Sequence, residues 1–204
     1  MTFVLPVAAA VFFGSIAFIA VAVSRMICAG IEPAEDGPPP GRAPVPVLIA
    51  GAAIVGASLE IFAGQPLQIG IAALVTFALV ACWYSDAVCG IVPDLFTLAP
   101  LAALLLFAVA QRDWGTIASS LIVFTPFAAA ALFSRGYGMG WGDAKLVALA
   151  GAALGAPLAL MALTVACGAA AIIHRVAGER GKPIALAPYI AAATGIALPL
   201  GFAR

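Results

Sequence analysis

The sequence predicts an all-α membrane protein, built as one polytopic helical bundle of about eight segments. The chain has 204 residues, of which 65% are hydrophobic and only 9% are charged, whereas soluble domains carry about 25% charged residues. So few charges cannot cover a surface that faces water, which excludes a soluble enzyme, a nucleic-acid-binding protein and a disordered chain. The apolar runs are continuous rather than alternating, which excludes an outer-membrane barrel.

Seven apolar stretches mark the candidate membrane segments, and they cover residues 3–24, 44–63, 67–85, 95–110, 115–133, 144–174 and 184–202. The first stretch has no basic start and is long for a secretory signal, so we expect it to remain as a membrane helix. The polar, proline-rich loop 25–43 is too short for a separate domain. Residues 1–204 are therefore expected to form a single membrane domain.

The stretch 144–174 is too long for one crossing, because a helix of that length would span about 46 Å against a hydrocarbon core of about 30 Å. Pro157, preceded by Gly155 and Ala156, predicts a break into a short helix, 144–154, and a longer one, 157–174. Eight segments place seven of the nine basic residues on one side of the membrane, and seven segments give a four-to-five split. Because cytoplasmic loops are enriched in Lys and Arg, we expect that side, with the loops 25–43, 85–94 and 134–145, to face the cytoplasm.

Two acidic loops on this side carry the functional signal. Asp86 lies in the first loop and Asp143 in the second, and two membrane crossings separate the loops, so both aspartates are expected at one membrane depth. Two carboxylates in a low-dielectric site share a proton, so that one acts as a base toward water and the other as an acid toward a peptide carbonyl. Alternating glycines before Asp143, including Gly140 and Gly142, permit positive φ and a close backbone approach by a peptide.

Other interpretations of these residues stay open at this point. Each aspartate is also a good helix N-cap, which is the interpretation we prefer for Asp94. Asp86 and Asp143 could instead form the relay of a proton-coupled transporter, or cap helices in a structural membrane subunit. Lys145 either interacts with a carboxylate or substrate acid, or anchors the chain at the cytoplasmic interface. Tyr84 is a candidate hydrogen-bond support for Asp86.

The four cysteines occur without a C-x-x-C pair, so we expect them to pack as small apolar residues. They are Cys28, Cys82, Cys89 and Cys167. The sequence contains no cluster of histidines and cysteines typical of a zinc site. We therefore predict that the protein uses no metal and no cofactor.

The two acidic loops resemble motifs of the prepilin leader peptidases, which are intramembrane aspartyl proteases. Asp86 followed by Ile91-Val92-Pro93-Asp94 is similar to the family's Asp and hydrophobic-Pro-Asp stretch, and 138–146 resembles its Gly-x-Gly-Asp-x-Lys-Leu motif. Residues 148–155 continue the match, and 182–189 resemble the family's start of the last helix. By this resemblance Asp86 and Asp143 are the catalytic pair. From their places in the two loops, we expect Gly140, Gly142, Lys145 and Asp94 to be supporting or substrate-binding residues.

The resemblance implies that the chain cleaves the leader from type IV prepilins or pseudopilins at the cytoplasmic side of the bacterial inner membrane. Its partners would then be that substrate and the lipid bilayer, with no nucleic acid. Larger members carry a cysteine-rich insert after the first helix and also N-methylate the new N-terminus. Here only the short loop 25–43 occupies that place, so the methyltransferase activity has no support and the chain resembles the short form of Tad/Flp-type pili.

Overall fold

The computed structural model describes residues 4–30, 43–62, 65–133, 139–178 and 184–202, and these form eight α-helices. The helices are α1 (Val4–Ala29), α2 (Val45–Phe62), α3 (Pro66–Cys89), α4 (Asp94–Gln111), α5 (Trp114–Phe133), α6 (Trp141–Leu154), α7 (Ala156–Val176) and α8 (Ala187–Phe202). The prediction of an all-α polytopic bundle is confirmed. Five helices, α1, α3, α4, α5 and α7, are long and apolar enough to cross a membrane.

The predicted break in the sixth stretch is confirmed at Gly155, whose φ of 75° lies in the left-handed region that favours glycine. Pro157 follows within the first turn of α7, where a missing N–H costs nothing. The chain reverses there, because Asp143 near the start of α6 lies within electrostatic range of Cys167, well along α7. With 14 residues, α6 is about 21 Å long and shorter than a hydrocarbon core.

Two helix ends differ from the prediction, and both differences concern the side that carries the acidic loops. α1 continues to Ala29 and α3 continues to Cys89, so that Arg25 and Asp86 lie in helices rather than in loops. α3 ends only at Gly90, whose φ is 67° and whose N–H bonds to the carbonyl of Asp86. The rest of the predicted loop 25–43, residues 31–42, lies outside the described residues.

The helices alternate in direction, so one end of the bundle collects the C-termini of the odd helices and the N-termini of the even ones. We call this end the aspartate end. Contacts at the opposite end support the same order, since Gly201 of α8 packs against Leu154 of α6. At that opposite end, Asp113 directly precedes α5. Its carboxylate accepts hydrogen bonds from the Thr116 hydroxyl at 2.7 Å and from the Thr116 N–H at 3.2 Å. These bonds favour the ionised carboxylate and lower the pKa of Asp113.

Small residues let the helices approach closely, as in many membrane bundles. A Cβ at Gly56 of α2 would stand 2.7 Å from the Ala9 carbonyl of α1, and one at Gly151 of α6 would stand 3.0 Å from the Ser119 carbonyl of α5. The Ser120 hydroxyl donates to the Ala148 carbonyl at 3.0 Å across the same α5–α6 contact. These contacts fix α6, and therefore Asp143, against the rest of the bundle.

Candidate active site

Asp86 lies in the last turn of α3, half-buried at the aspartate end of the bundle. Its Oδ2 accepts a hydrogen bond of 3.2 Å from the backbone N–H of Ala187, the buried first residue of α8. The first N–H groups of a helix have no partner within that helix, and they favour a negative charge. The start of α8 therefore orients the Asp86 carboxylate, a role that the sequence did not reveal although 182–189 had been singled out.

Asp143 is the third residue of α6, and the backbone N–H of Gly140 just before the helix donates to its carboxylate. This is half of a capping box, in which a side chain at the third position reaches back to the N-cap amide. Oδ1 of Asp143 is buried and has no hydrogen-bond partner within the described part of the chain. One carboxylate oxygen is thus held in place, and the other is available to a proton, a water or a substrate carbonyl.

The structure brings Asp86 and Asp143 within electrostatic range of each other, although 57 positions separate them in the sequence. The buried Cys82, one turn before Asp86, lies within range of both carboxylates. Both aspartates are half-buried among apolar helices, where charges interact more strongly than in water. The arrangement therefore places two carboxyl groups in one apolar region, and such pairs are the groups that acid–base chemistry on a peptide uses.

Direct packing aligns the two acidic segments. A Cβ at Gly142 would stand 2.7 Å from Cβ of Val92, in the segment that follows Asp86. Gly142 is therefore needed for packing within the chain, and the approach of a peptide substrate to the glycines stays a prediction. At Gly140 φ is −76°, so the positive φ that a glycine permits is not used there. Gly136 and Gly138 lie outside the described residues.

Lys145 and Asp94 form an ion pair between α6 and α4, which adds a second link between the segments. The prediction that Asp94 caps a helix is wrong in detail. Pro93 holds the N-cap position without a side-chain cap bond, and Asp94 is the first residue of α4. The Asp94 carboxylate pairs with Lys145, and it also lies in the first turn of α4, where the helix dipole favours a negative charge.

We expect Asp94→Asn and Lys145→Gln each to reduce the peptidase activity that the resemblance implies by no more than about fivefold, because exposed ion pairs contribute about 0.2–1 kcal/mol. The side chain of Asp94 is 63% exposed and that of Lys145 is 25% exposed. The double variant should lose little more than either single variant, since all three remove the same pair. Initial cleavage rates of the four proteins test this. Complete loss in Asp94→Asn alone would place Asp94 among the catalytic groups.

The end of α1 is attached to the end of α3 beside Asp86 by three contacts that the sequence did not predict. The Ser24 hydroxyl donates to the Ala81 carbonyl at 3.3 Å. Arg25 Nε donates to the Tyr84 hydroxyl at 3.1 Å. The observed partner of this hydroxyl is therefore Arg25, whereas the sequence suggested Asp86. Cys28 and Cys89 form a disulfide, with their Cα atoms 6.2 Å apart.

The expectation that all four cysteines pack as small apolar residues is therefore wrong for two of them. Cys82 is fully buried and Cys167 is half-buried, and both are free thiols. Cys28 and Cys89 are 61 positions apart. Only the parallel packing of α1 and α3 brings them together, and no local spacing could have indicated the pairing. The disulfide also fixes the helix end from which Asp86 projects.

Within the described ranges, no group of three or more His, Cys, Asp or Glu side chains lies close enough to hold a metal ion. Metal independence stays a prediction. Cleavage that a chelator stops and added zinc restores would contradict it.

The structure thus combines an apolar helical bundle with two aspartates that lie within electrostatic range of each other at one end. Residues 72–174 match the sequence model of the type IV leader peptidase family. The match covers just over half of the chain, and the chain belongs to this family. It includes Asp86 and Asp143 and leaves out α1, α2 and α8. Neither the curated proteins nor the solved structures contain a match to the chain.

Proposed function

We propose that the chain is an intramembrane aspartyl endopeptidase that removes the leader from type IV prepilins or pseudopilins at the cytoplasmic face of the bacterial inner membrane. The observation that carries this proposal is the convergence of Asp86 and Asp143 from α3 and α6, within the segment that matches the leader peptidase family. Both carboxylates are positioned by backbone amides, from Ala187 and Gly140. Such fixed positioning is what acid–base catalysis requires.

In the proposed reaction, an ionised carboxylate takes a proton from water while the water oxygen attacks the scissile carbonyl carbon. The other carboxyl group, protonated, donates its proton to the carbonyl oxygen. On collapse of the tetrahedral intermediate, the carboxyl group that took a proton from water gives it to the leaving amine, and the carbon–nitrogen bond breaks. The other carboxylate takes a proton back from a hydroxyl of the intermediate, which becomes the new C-terminal carboxyl group. The pair then shares one proton again. Because Oδ1 of Asp143 has no partner in the described part of the chain, it is the oxygen best placed for these transfers.

Co-expression with a type IV prepilin tests the proposal most directly. The N-terminus of the pilin is then determined by mass spectrometry, with the prepilin expressed alone as the control. We expect a new N-terminus directly after the Gly that ends the leader, without an added methyl group. An intact prepilin beside well-expressed, membrane-inserted protein would contradict the proposal.

The sidedness of the site gives a separate prediction. In a cysteine-free background, we expect a single cysteine at Gln111 to react with an impermeant thiol reagent in whole cells. One at Ala177 should react only after the cytoplasmic face is opened. Gln111 lies at the opposite end of the bundle, and Ala177 follows α7 at the aspartate end. The reverse pattern would place the aspartates outside the cytoplasm, and a cytoplasmic-side peptidase would be untenable.

The disulfide provides a second, independent measure of sidedness. Cytosolic thiols are kept reduced, whereas the periplasm is oxidising. If the aspartate end faces the cytoplasm, Cys28 and Cys89 should both be free thiols in cells quenched with acid, and an alkylating reagent should label both. The disulfide between them should form only after exposure to air. A bond that is complete in acid-quenched cells would contradict the cytoplasmic orientation.

A further inference from the structure

An apolar groove opens between α2, α3 and α8 and has a cavity volume of about 200 Å³. Two side chains at its rim point away from the bundle, since Val47 is 57% exposed and Ile196 is 77% exposed. The groove therefore opens sideways, toward the hydrocarbon that surrounds a membrane bundle. It is lined by Val47, Leu48, Gly51, Ala52, Val55, Thr76, Leu79, Val80, Trp83, Ala191, Ala192, Gly195 and Ile196.

The groove ends one helical turn from Asp86. Along α3 its wall is formed by Thr76, Leu79 and Trp83, and Asp86 stands one turn beyond Trp83 on the neighbouring part of the same face. Along α8 the wall includes Ala191, and the N–H of Ala187, one turn earlier, donates to Asp86 at 3.2 Å. Just beyond the groove, α3 and α8 therefore meet at the candidate catalytic carboxylate. Along α3 the groove runs from Trp83 to Thr76, a distance of about 10 Å.

The lining suits a helix rather than a loose acyl chain. Ala191 and Gly195 are four positions apart on α8, and Gly51 faces them from α2. Small residues at this spacing let a second helix approach closely in a membrane. No atom lies within 4 Å of a Cβ built at Gly51 or Gly195, so neither glycine is needed for packing within the bundle.

Thr76 supplies an independent indication of a ligand. Its side chain lines the groove and is only 4% exposed, yet its hydroxyl has no hydrogen-bond partner among the described residues. A buried hydroxyl without a partner is costly. A helix seated in the groove can offer it a carbonyl or side-chain oxygen, which a saturated acyl chain cannot.

We propose that this groove holds an apolar membrane helix of the substrate, next to the scissile peptide. The inference rests on the proposed peptidase function and adds the part of the substrate that is recognised. A groove that ends one helical turn from Asp86 presents the chain just beyond that helix to the two carboxylates. About seven helical residues match its length of about 10 Å. The lateral opening lets the substrate enter from the bilayer without exposing its apolar surface to water.

Site-specific photocrosslinking tests the docking without relying on cleavage. A benzophenone amino acid replaces Ile196 at the groove, or Ile172 on α7 as the control, in the Asp143→Asn protein expressed with a full-length type IV prepilin. Ile172 is apolar and 64% exposed. We expect several times more crosslinked prepilin from Ile196, attached within the apolar segment. Equal yields from both positions, or attachment within the leader, would overturn the inference.

Filling the groove tests its contribution to the reaction. Gly195→Leu would place a side chain in the groove and should raise the KM for a full-length prepilin about tenfold. A tenfold change corresponds to a free-energy cost in the lower range of overpacking penalties. Gly168→Leu is the matched control, because Gly168 is a helical glycine of α7 that also has no atom within 4 Å of a built Cβ. Thermal unfolding of both variants should match that of the wild type. If the wild type cuts the prepilin and Gly195→Leu cuts it equally well, the groove inference alone is wrong. If the wild type does not cut it, the proposed function fails and the inference fails with it.

Discussion

Replacement of either Asp86 or Asp143 by asparagine is expected to abolish prepilin cleavage, with a rate loss of at least about 10²–10⁴-fold. An asparagine side chain cannot take up or donate the proton that the pair shares. It does keep the size of the carboxylate, and its amide oxygen can still accept the hydrogen bond from Ala187 or Gly140. The variants should therefore remain folded in the membrane. The fraction of cut pilin is measured by mass spectrometry, beside the level of the peptidase in the membrane.

Asp113→Asn is the matched control, because Asp113 lies at the opposite end of the bundle and its side chain bonds locally, to Thr116 and to the N–H of Gly115. It should cleave like the wild type. Since asparagine also caps helices well, wild-type cleavage by Asp86→Asn or Asp143→Asn would show that the residue has a structural role. Proton flux in liposomes that disappears with either change, while cleavage stays absent in the wild type, would favour the transporter alternative.

Gly142→Ala is expected to reduce activity more than tenfold, an effect of the same order as overpacking penalties of about 1–3 kcal/mol. The new Cβ would stand 2.7 Å from Cβ of Val92, which is fixed to its own backbone and cannot rotate away. The segment after Asp86 and the start of α6 must then move apart. That movement changes the distance between the two carboxylates. Initial cleavage rates and thermal unfolding in detergent measure the two consequences.

A second-site change separates this contact from a general loss of folding. Val92→Gly removes the atom in conflict and should restore part of the activity of Gly142→Ala, whereas Val92→Ala keeps that Cβ and should restore none. Gly168→Ala serves as the control for a glycine replaced on an open helix surface, and it should have no effect. Equal activity of Gly142→Ala and the wild type would show that the two segments tolerate separation.

Local signals in the sequence predicted much of the fold. The apolar stretches marked the helices, and Gly155 with Pro157 marked the reversal between α6 and α7, because both residue types act on the backbone where they stand. The predicted ends were less accurate. Polar residues such as Arg25 and Asp86 suggested loops, but tertiary contacts with Tyr84 and Ala187 hold them in helices.

The sequence by itself determined that this is a helical membrane protein, and it singled out Asp86 and Asp143 through their motifs. Only the tertiary structure decided what surrounds them. The amide of Ala187, the Lys145–Asp94 pair, the disulfide of Cys28 with Cys89 and the groove along α3 each join residues from different helices. Apolar helices carry little information about their neighbours, because nearly every face is equally hydrophobic. Partner choice then depends on close packing of small residues and on a few polar contacts, which appear only once the helices are assembled.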